Sequence, residues 1–273
     1  MILSWMKLLR RLIDRIRRPG TMRASGTGPG KNGGRMNENM RATEMMQRGF
    51  GYGSWDAPNW FIGQEEGKGP KEQPDNSLRV EAWHKLQRDG LCDCRAFHFE
   101  IRERSWHRDH PRLQPTWRPL ILLLQTFLND AVDNERIDKE PLRRYQRDKW
   151  GSSGGETCVI ELSGTSAKGL AQPVDRETYL QERIVFIGEK LRTHRPTFVV
   201  MYGMSRSANW EQLTRLSVEK GEPIMGFSLK KDEPIKVEST VFAMAPHPNT
   251  RGRTNDDWIQ LGKNLRRATE LAE

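Results

Sequence analysis

The feature that most constrains the fold is a set of four short runs of β-branched and aromatic residues, separated by longer helical patterns. Each run is almost continuously apolar, as expected for a strand that is buried on both faces. The segments between the runs have the three-to-four-residue spacing of amphipathic helices. This alternation predicts a three-layer α/β/α sandwich with a central, mainly parallel four-stranded sheet. The predicted strands are residues 59–63, 157–162, 197–202 and 240–245.

The positive charge of the chain is concentrated at its N-terminus. The 273 residues carry a formal net charge of +9, and residues 1–48 hold 11 Lys and Arg against 3 Asp and Glu. The rest of the chain holds 34 basic against 33 acidic residues and is nearly neutral. We therefore predict a basic, largely disordered tail over residues 1–48 and one folded domain over residues 49–273.

The first 18 residues have the pattern of a short, basic amphipathic helix, which Pro19 and Gly20 end. Such a helix could lie on a membrane surface or tether the protein to DNA. The alternative is a translated leader ahead of a start at Met22. No apolar run reaches the roughly 18 residues of a membrane span. Three cysteines fit neither a disulfide framework nor a four-thiolate metal site, so we expect a cytoplasmic protein without a metal. We also expect it to be a monomer.

The loops at the carboxyl ends of parallel strands usually carry the chemistry of such folds. The first predicted strand runs into Gly-Gln-Glu-Glu-Gly at residues 63–67. The glycines allow a sharp turn, and a carboxylate there could activate a water molecule as a general base. The alternative is a charged turn that is simply solvated, because short motifs of this kind match freely.

The last predicted strand is followed by Pro-His-Pro-Asn-Thr-Arg-Gly at residues 246–252. The two prolines restrict the direction of His247, which could donate a hydrogen bond to a developing oxyanion. Alternatively, His247 only bonds a carbonyl at the strand end. The polar tip that follows suits contact with phosphates or insertion into a groove, and it comprises Asn249, Thr250 and Arg251.

The order of these two loops resembles the uracil-DNA glycosylase superfamily. In that family Gly-Gln-Asp-Pro-Tyr or Gly-Glu-Ala-Pro-Gly follows the first strand, and His-Pro-Ser follows the last. Here the motifs read Gly63-Gln64-Glu65-Glu66-Gly67 and His247-Pro248-Asn249-Thr250. The likeness in order and spacing covers residues 55–270, with the close matches confined to the motifs. Glu66 replaces a proline and Asn249 replaces a serine, which puts retention of the activity in question.

The resemblance implies a hydrolase of base excision repair that releases uracil, or a related damaged base, from DNA after flipping it out of the helix. The partner would be DNA containing that lesion, and neither cofactor nor metal is implied. Glu65 would activate the water and His247 would stabilise the leaving anion. Phe97, His98 or Trp106 could stack on the base. The pocket contacts would be Gly63, Gln64, Glu66 and Ser163, with Gly164 or Thr165 as alternatives to Ser163, and the DNA contacts would be Asn249, Thr250 and Arg251.

Two other functions fit parts of the sequence. The departures in both motifs suit a non-catalytic nucleic-acid-binding module of the same fold. Alternatively, the carboxylates of Glu156 and Glu161 with Lys168 could form a metal-dependent nuclease site. The spacing from Glu161 to Lys168 is longer than nuclease motifs usually have, so base hydrolysis is the function that we predict.

Overall fold

A computed structural model describes residues 32–64, 76–129, 137–164, 179–218 and 228–270. Its contacts divide the chain into two compact units, Met1–Met40 and Arg41–Glu273. The larger unit thus begins at Arg41, inside the segment that we predicted as tail. The described helices are α1 (Asn32–Arg48), α2 (Asn76–Leu86), α3 (Cys94–Glu100), α4 (Trp117–Leu128), α5 (Lys139–Asp148), α6 (Leu180–His194), α7 (Ser207–Leu216) and α8 (Asn255–Glu270).

The sheet is larger than the sequence predicts. Its seven strands are β1 (Gly51–Tyr52), β2 (Asn59–Gly63), β3 (Leu91–Cys92), β4 (Thr157–Glu161), β5 (Phe198–Tyr202), β6 (Ile235–Val237) and β7 (Thr240–Ala245). They lie in the order β3-β1-β4-β2-β5-β7-β6. The α/β class is confirmed, but the predicted four-stranded, mainly parallel sheet is wrong, because the sheet is mixed. β1 runs antiparallel to β4, and β6 runs antiparallel to β7.

The four predicted strands form the middle of this sheet. β4, β2, β5 and β7 are neighbours in that order, and every pairing between them is parallel. The strands that the sequence missed are two or three residues long, which is too short for a periodic pattern to reveal. They add outer strands on both sides of the sheet. The carboxyl ends of the four central strands still lie together at one end of the sheet.

Helices cover both faces of the sheet. Alternate residues of the central strands point to opposite faces, so Phe61 and Val200 belong to one apolar cluster and Trp60 and Met201 to another. Helices α4 and α8 contribute to the first cluster, and α6 and α7 contribute to the second. Among the described residues, no helix combines the length and apolarity that crossing a membrane requires.

A buried arginine joins α6 to the carboxyl end of β4. Arg183 is 1% exposed, and its guanidinium lies 4.5 Å from the centre of the Phe50 ring. Burial lowers the pKa of Arg183 to about 9, so the side chain keeps its charge at neutral pH. It donates five hydrogen bonds of 2.7–3.2 Å to backbone carbonyls, which belong to Met46, Gln47, Gly49, Glu161 and Leu162.

Candidate functional site

The carboxyl ends of the four central strands bring together residues that are distant in the sequence. Gly63 at the end of β2 pairs with Glu161 at the end of β4. Tyr202 at the end of β5 pairs with Ala245, two residues before His247. The backbone pairing continues past β2 and β4, since the Ser163 amide donates to the Gln64 carbonyl at 2.9 Å. The loops after all four strands therefore lie together at the same end of the sheet, where the strands have their carboxyl ends.

A carboxylate and a phenol lie at the centre of this end of the sheet. The Tyr202 hydroxyl donates a hydrogen bond to the Glu161 carboxylate, and Tyr202 is 1% exposed. Burial raises the pKa of Tyr202 well above its ordinary value, and the charge of Glu161 raises it further. Tyr202 is therefore a neutral hydrogen-bond donor at physiological pH, and it fixes the orientation of the carboxylate.

Gly63 makes this arrangement possible because it has no side chain. A methyl group on Gly63 would lie 2.5 Å from Tyr202 Cζ and 2.7 Å from Glu161 Oε2. We expect Gly63→Ala to push the phenol and carboxylate apart and to lower the free energy of unfolding by about 1–3 kcal/mol. Urea denaturation measures this loss. The matched control is Gly154→Ala, because a methyl group on Gly154 has no heavy atom within 4 Å, and equal losses in both variants would contradict the expectation.

His247 lies beside Tyr202, with ring centroids 5.8 Å apart and an interplanar angle of 65°. The backbone N–H of Asn249 donates a hydrogen bond of 3.2 Å to His247 Nδ1. Because Nδ1 accepts this bond, the proton of the neutral imidazole is on Nε2. His247 thus lies at the carboxyl ends of the central strands, with its Nδ1 bonded to the backbone of its own loop.

The tip of this loop is exposed, whereas its base is held firmly. Asn249, Thr250 and Arg251 are all exposed. Arg253 forms two hydrogen bonds of 2.8 Å with the carboxylate of Asp232. Its guanidinium also stacks 4.0 Å from the ring centre of Trp258. The tip is therefore presented from a fixed base.

A pocket opens beside Glu161. Aromatic rings form part of its wall, and they belong to Tyr52, Trp83 and Phe97. Its polar lining includes Arg79, Glu161 and Ser163, together with the backbone of Gly164. Of the three rings proposed to stack on a base, Phe97 lines the pocket, whereas Trp106 and the buried His98 do not. The pocket therefore combines flat apolar walls with hydrogen-bonding groups.

The predicted site residues are only partly brought together. Ser163 lines the pocket, but His247 is not among the described residues that do so, and Tyr202 connects it to Glu161. The Gln64 amide instead donates to Ser205 Oγ at 2.5 Å and to the Gly203 carbonyl at 3.4 Å. Glu65, Glu66 and Thr165 lie outside the described residues.

The sequence analysis did not predict that Glu161 lines the pocket, nor that Tyr202 lies between Glu161 and His247. Its position could have indicated a role, because Glu161 is a charged residue at the end of an apolar strand. Burying a charge there costs free energy unless the charge has a partner. Of the residues of the predicted nuclease site, Lys168 lies outside the described part of the chain, and the two carboxylates do not come together. Glu156 precedes β4 and accepts a bond of 2.9 Å from the Tyr145 hydroxyl. The two carboxylates lie at opposite ends of a strand with a rise of about 3.3 Å per residue, too far apart for one ion.

Comparison with known proteins does not assign the chain to a family. No family model matches it, and no curated protein resembles it closely enough in sequence to count as a relative. The chemistry of the site therefore follows from its own side chains. Those are a half-buried carboxylate with a phenol donor, an imidazole whose Nδ1 accepts a backbone hydrogen bond, and a pocket with aromatic walls.

Proposed function

We propose that the protein is a DNA glycosylase, which hydrolyses the N-glycosidic bond of uracil or a related damaged base. The observation that carries this proposal is the position of His247, whose Nδ1 accepts a backbone hydrogen bond, at the carboxyl ends of the central strands. Breaking the glycosidic bond leaves the electron pair on the base. A fixed, neutral N–H donor stabilises such an anion without being titrated in the reaction.

In the proposed reaction, water attacks the sugar carbon as the bond to the base breaks. The base leaves as an anion, and a carboxylate takes the proton of the attacking water. We assign this second role to Glu65, which follows Gln64 in the loop after β2. The products are the free base and an abasic site, and no step needs a metal or a redox cofactor.

We assign the pocket beside Glu161 to the flipped-out pyrimidine. A base in duplex DNA must leave the stack before an enzyme can reach its glycosidic bond. Phe97 is part of the pocket wall, with the Arg79 guanidinium over its ring at 5.4 Å, and the Ser163 hydroxyl and the Arg79 guanidinium can donate to carbonyl oxygens. The Glu161 carboxylate can accept a ring N–H. Uracil presents this acceptor-donor-acceptor edge, whereas cytosine has an unprotonated ring nitrogen at the central position.

Incubation with lesion-containing oligonucleotides tests the proposal. Each strand would carry one uracil, or one other damaged base, and hot alkali would then cleave any abasic site that forms. We expect cleavage at uracil that persists in EDTA and is absent from the matching cytosine strand. No cleavage above a His247→Ala control, over several lesions in single and double strands, would reject the proposal. Salt-sensitive DNA binding without base release would favour the non-catalytic module.

Glu161→Gln tests how the base is selected. The substitution keeps the shape of the side chain but replaces an acceptor oxygen by an amide that can donate. We expect the rate of uracil release to fall by about tenfold or more, since an unmatched buried polar group costs roughly 1–3 kcal/mol. Single-turnover rates on uracil strands measure this. Glu156→Gln, at the opposite end of β4, is the control, and an equal loss there would contradict a pocket role for Glu161.

A further inference from the structure

Behind the pocket wall lies a cluster of three potential metal ligands. Cys94 and His98 are four residues apart on α3, and His107 follows on the next segment. All three are at most 3% exposed. Within the described part of the chain, this is the group of His, Cys, Asp and Glu side chains whose donor atoms lie close enough to share an ion.

The distances within the cluster match a tetrahedral site. Bonds of about 2.05 Å to nitrogen and 2.3 Å to sulfur at tetrahedral angles place nitrogens about 3.4 Å apart and nitrogen and sulfur about 3.6 Å apart. Here His98 Nδ1 and His107 Nε2 are 3.2 Å apart. Cys94 Sγ lies 3.5 Å from His98 Nδ1 and 3.9 Å from His107 Nε2. The three atoms thus form one face of a tetrahedron of the size that zinc requires.

The surroundings of His107 orient it as a ligand. Its Nδ1 lies 3.3 Å from the Arg147 carbonyl, to which it can donate. That bond leaves the lone pair of Nε2 directed at Cys94 and His98, and a carbonyl on the second ring nitrogen is the usual partner of a metal-binding histidine.

His98 needs one rearrangement. Its Nδ1 lies 2.7 Å from the Cys94 carbonyl and donates its proton there when no metal is bound. Coordination through Nδ1 moves this proton to Nε2, which leaves the ring neutral. The thiol of Cys94 loses its proton to solvent and binds as a thiolate, so that metal binding is coupled to proton release.

We propose that Cys94, His98 and His107 bind a zinc ion that holds the segment after α3 against the core. One thiolate and two imidazoles are a donor set that zinc favours, and a water molecule can complete the tetrahedron. The site is behind the pocket wall, since Phe97 and Cys92 line the pocket and the Tyr52 ring lies 5.4 Å from His98. This proposal is independent of the proposed function.

The metal content of the purified full-length chain tests the site. We expect about one zinc ion per chain by mass spectrometry, and at least about tenfold less in Cys94→Ala. The matched control is Cys158→Ala, because Cys158 is equally buried but belongs to the cluster on the other face of the sheet. Wild-type protein without metal, or Cys94→Ala with as much metal as the control, would overturn the proposal.

Cobalt provides a second readout that does not depend on a variant folding. Wild-type protein stripped with a chelator and loaded with Co²⁺ should show visible bands of tetrahedral cobalt and a near-ultraviolet band from the thiolate bond. Zinc added to the stripped protein should raise its melting temperature, because a ligand that binds the folded chain stabilises it. Absence of the thiolate band, or no change in melting temperature, would count against the site even if Cys94→Ala does not fold.

Discussion

Replacing His247 by alanine is expected to slow uracil release by about 10²–10³-fold, while the affinity for uracil-containing DNA changes little. In the proposed reaction, the imidazole faces a full negative charge only as the glycosidic bond breaks. Its removal therefore raises the energy of the transition state and leaves the bound ground state almost unchanged. Among the substitutions at this end of the sheet, this one should affect the rate most.

Single-turnover rates and fluorescence anisotropy at one salt concentration would separate the two effects. Arg251→Ala is the matched control from the same loop, because an exposed cation contributes to phosphate binding and to its salt dependence. We expect Arg251→Ala to weaken binding and to leave the rate at saturating protein nearly unchanged. Equal losses of rate and affinity in His247→Ala would show that the histidine is only a binding contact.

Replacing Arg183 by leucine is expected to lower the free energy of unfolding by about 3–5 kcal/mol. The substitution removes the donors of five carbonyl oxygens, which lie in the segment before β1 and at the carboxyl end of β4. A buried carbonyl oxygen without a donor has lost its hydrogen bonds to water and gained none in return, which destabilises the folded state by the full desolvation free energy of that group. Leucine can fill part of the space but cannot donate to any of them.

Urea denaturation followed by tryptophan fluorescence measures this loss. Arg192→Leu is the control, because Arg192 is on the same helix and is partly exposed. Arg183→Lys should recover part of the stability, since an ammonium group can donate to as many as three of the carbonyls. A loss for Arg183→Leu no larger than that for Arg192→Leu would contradict a bridging role for the guanidinium.

The sequence predicted the parts of the fold that produce a strong periodic signal. The central strands are apolar runs of five or six residues, and β2 and β7 each lead into a loop whose residues suggested chemistry. The two- and three-residue strands β1, β3 and β6 leave no such signal, because their positions depend on the strands that they border. The sheet was therefore predicted too small and too uniformly parallel.

The site residues divide in the same way. His247 and Ser163 could be proposed because each follows a predicted strand. The link from Glu161 to Tyr202 depends on which strands are neighbours, and the sequence does not state that order. Cys94 and His98 share a helix face at a spacing of four, but His107 joins them only because the chain returns after α3. Counting cysteines alone therefore missed the cluster.

The strand order also bears on how the chain folds during synthesis. β2 lies at the middle of the sheet, yet its partners β4 and β5 follow far later in the sequence. Its buried surface includes Trp60, Phe61 and Ile62, which stay uncovered until those strands leave the ribosome. Such long-range pairing slows folding and exposes nascent chains to aggregation. We therefore expect the nascent chain to be prone to aggregation until β5 has emerged from the ribosome and can pair with β2.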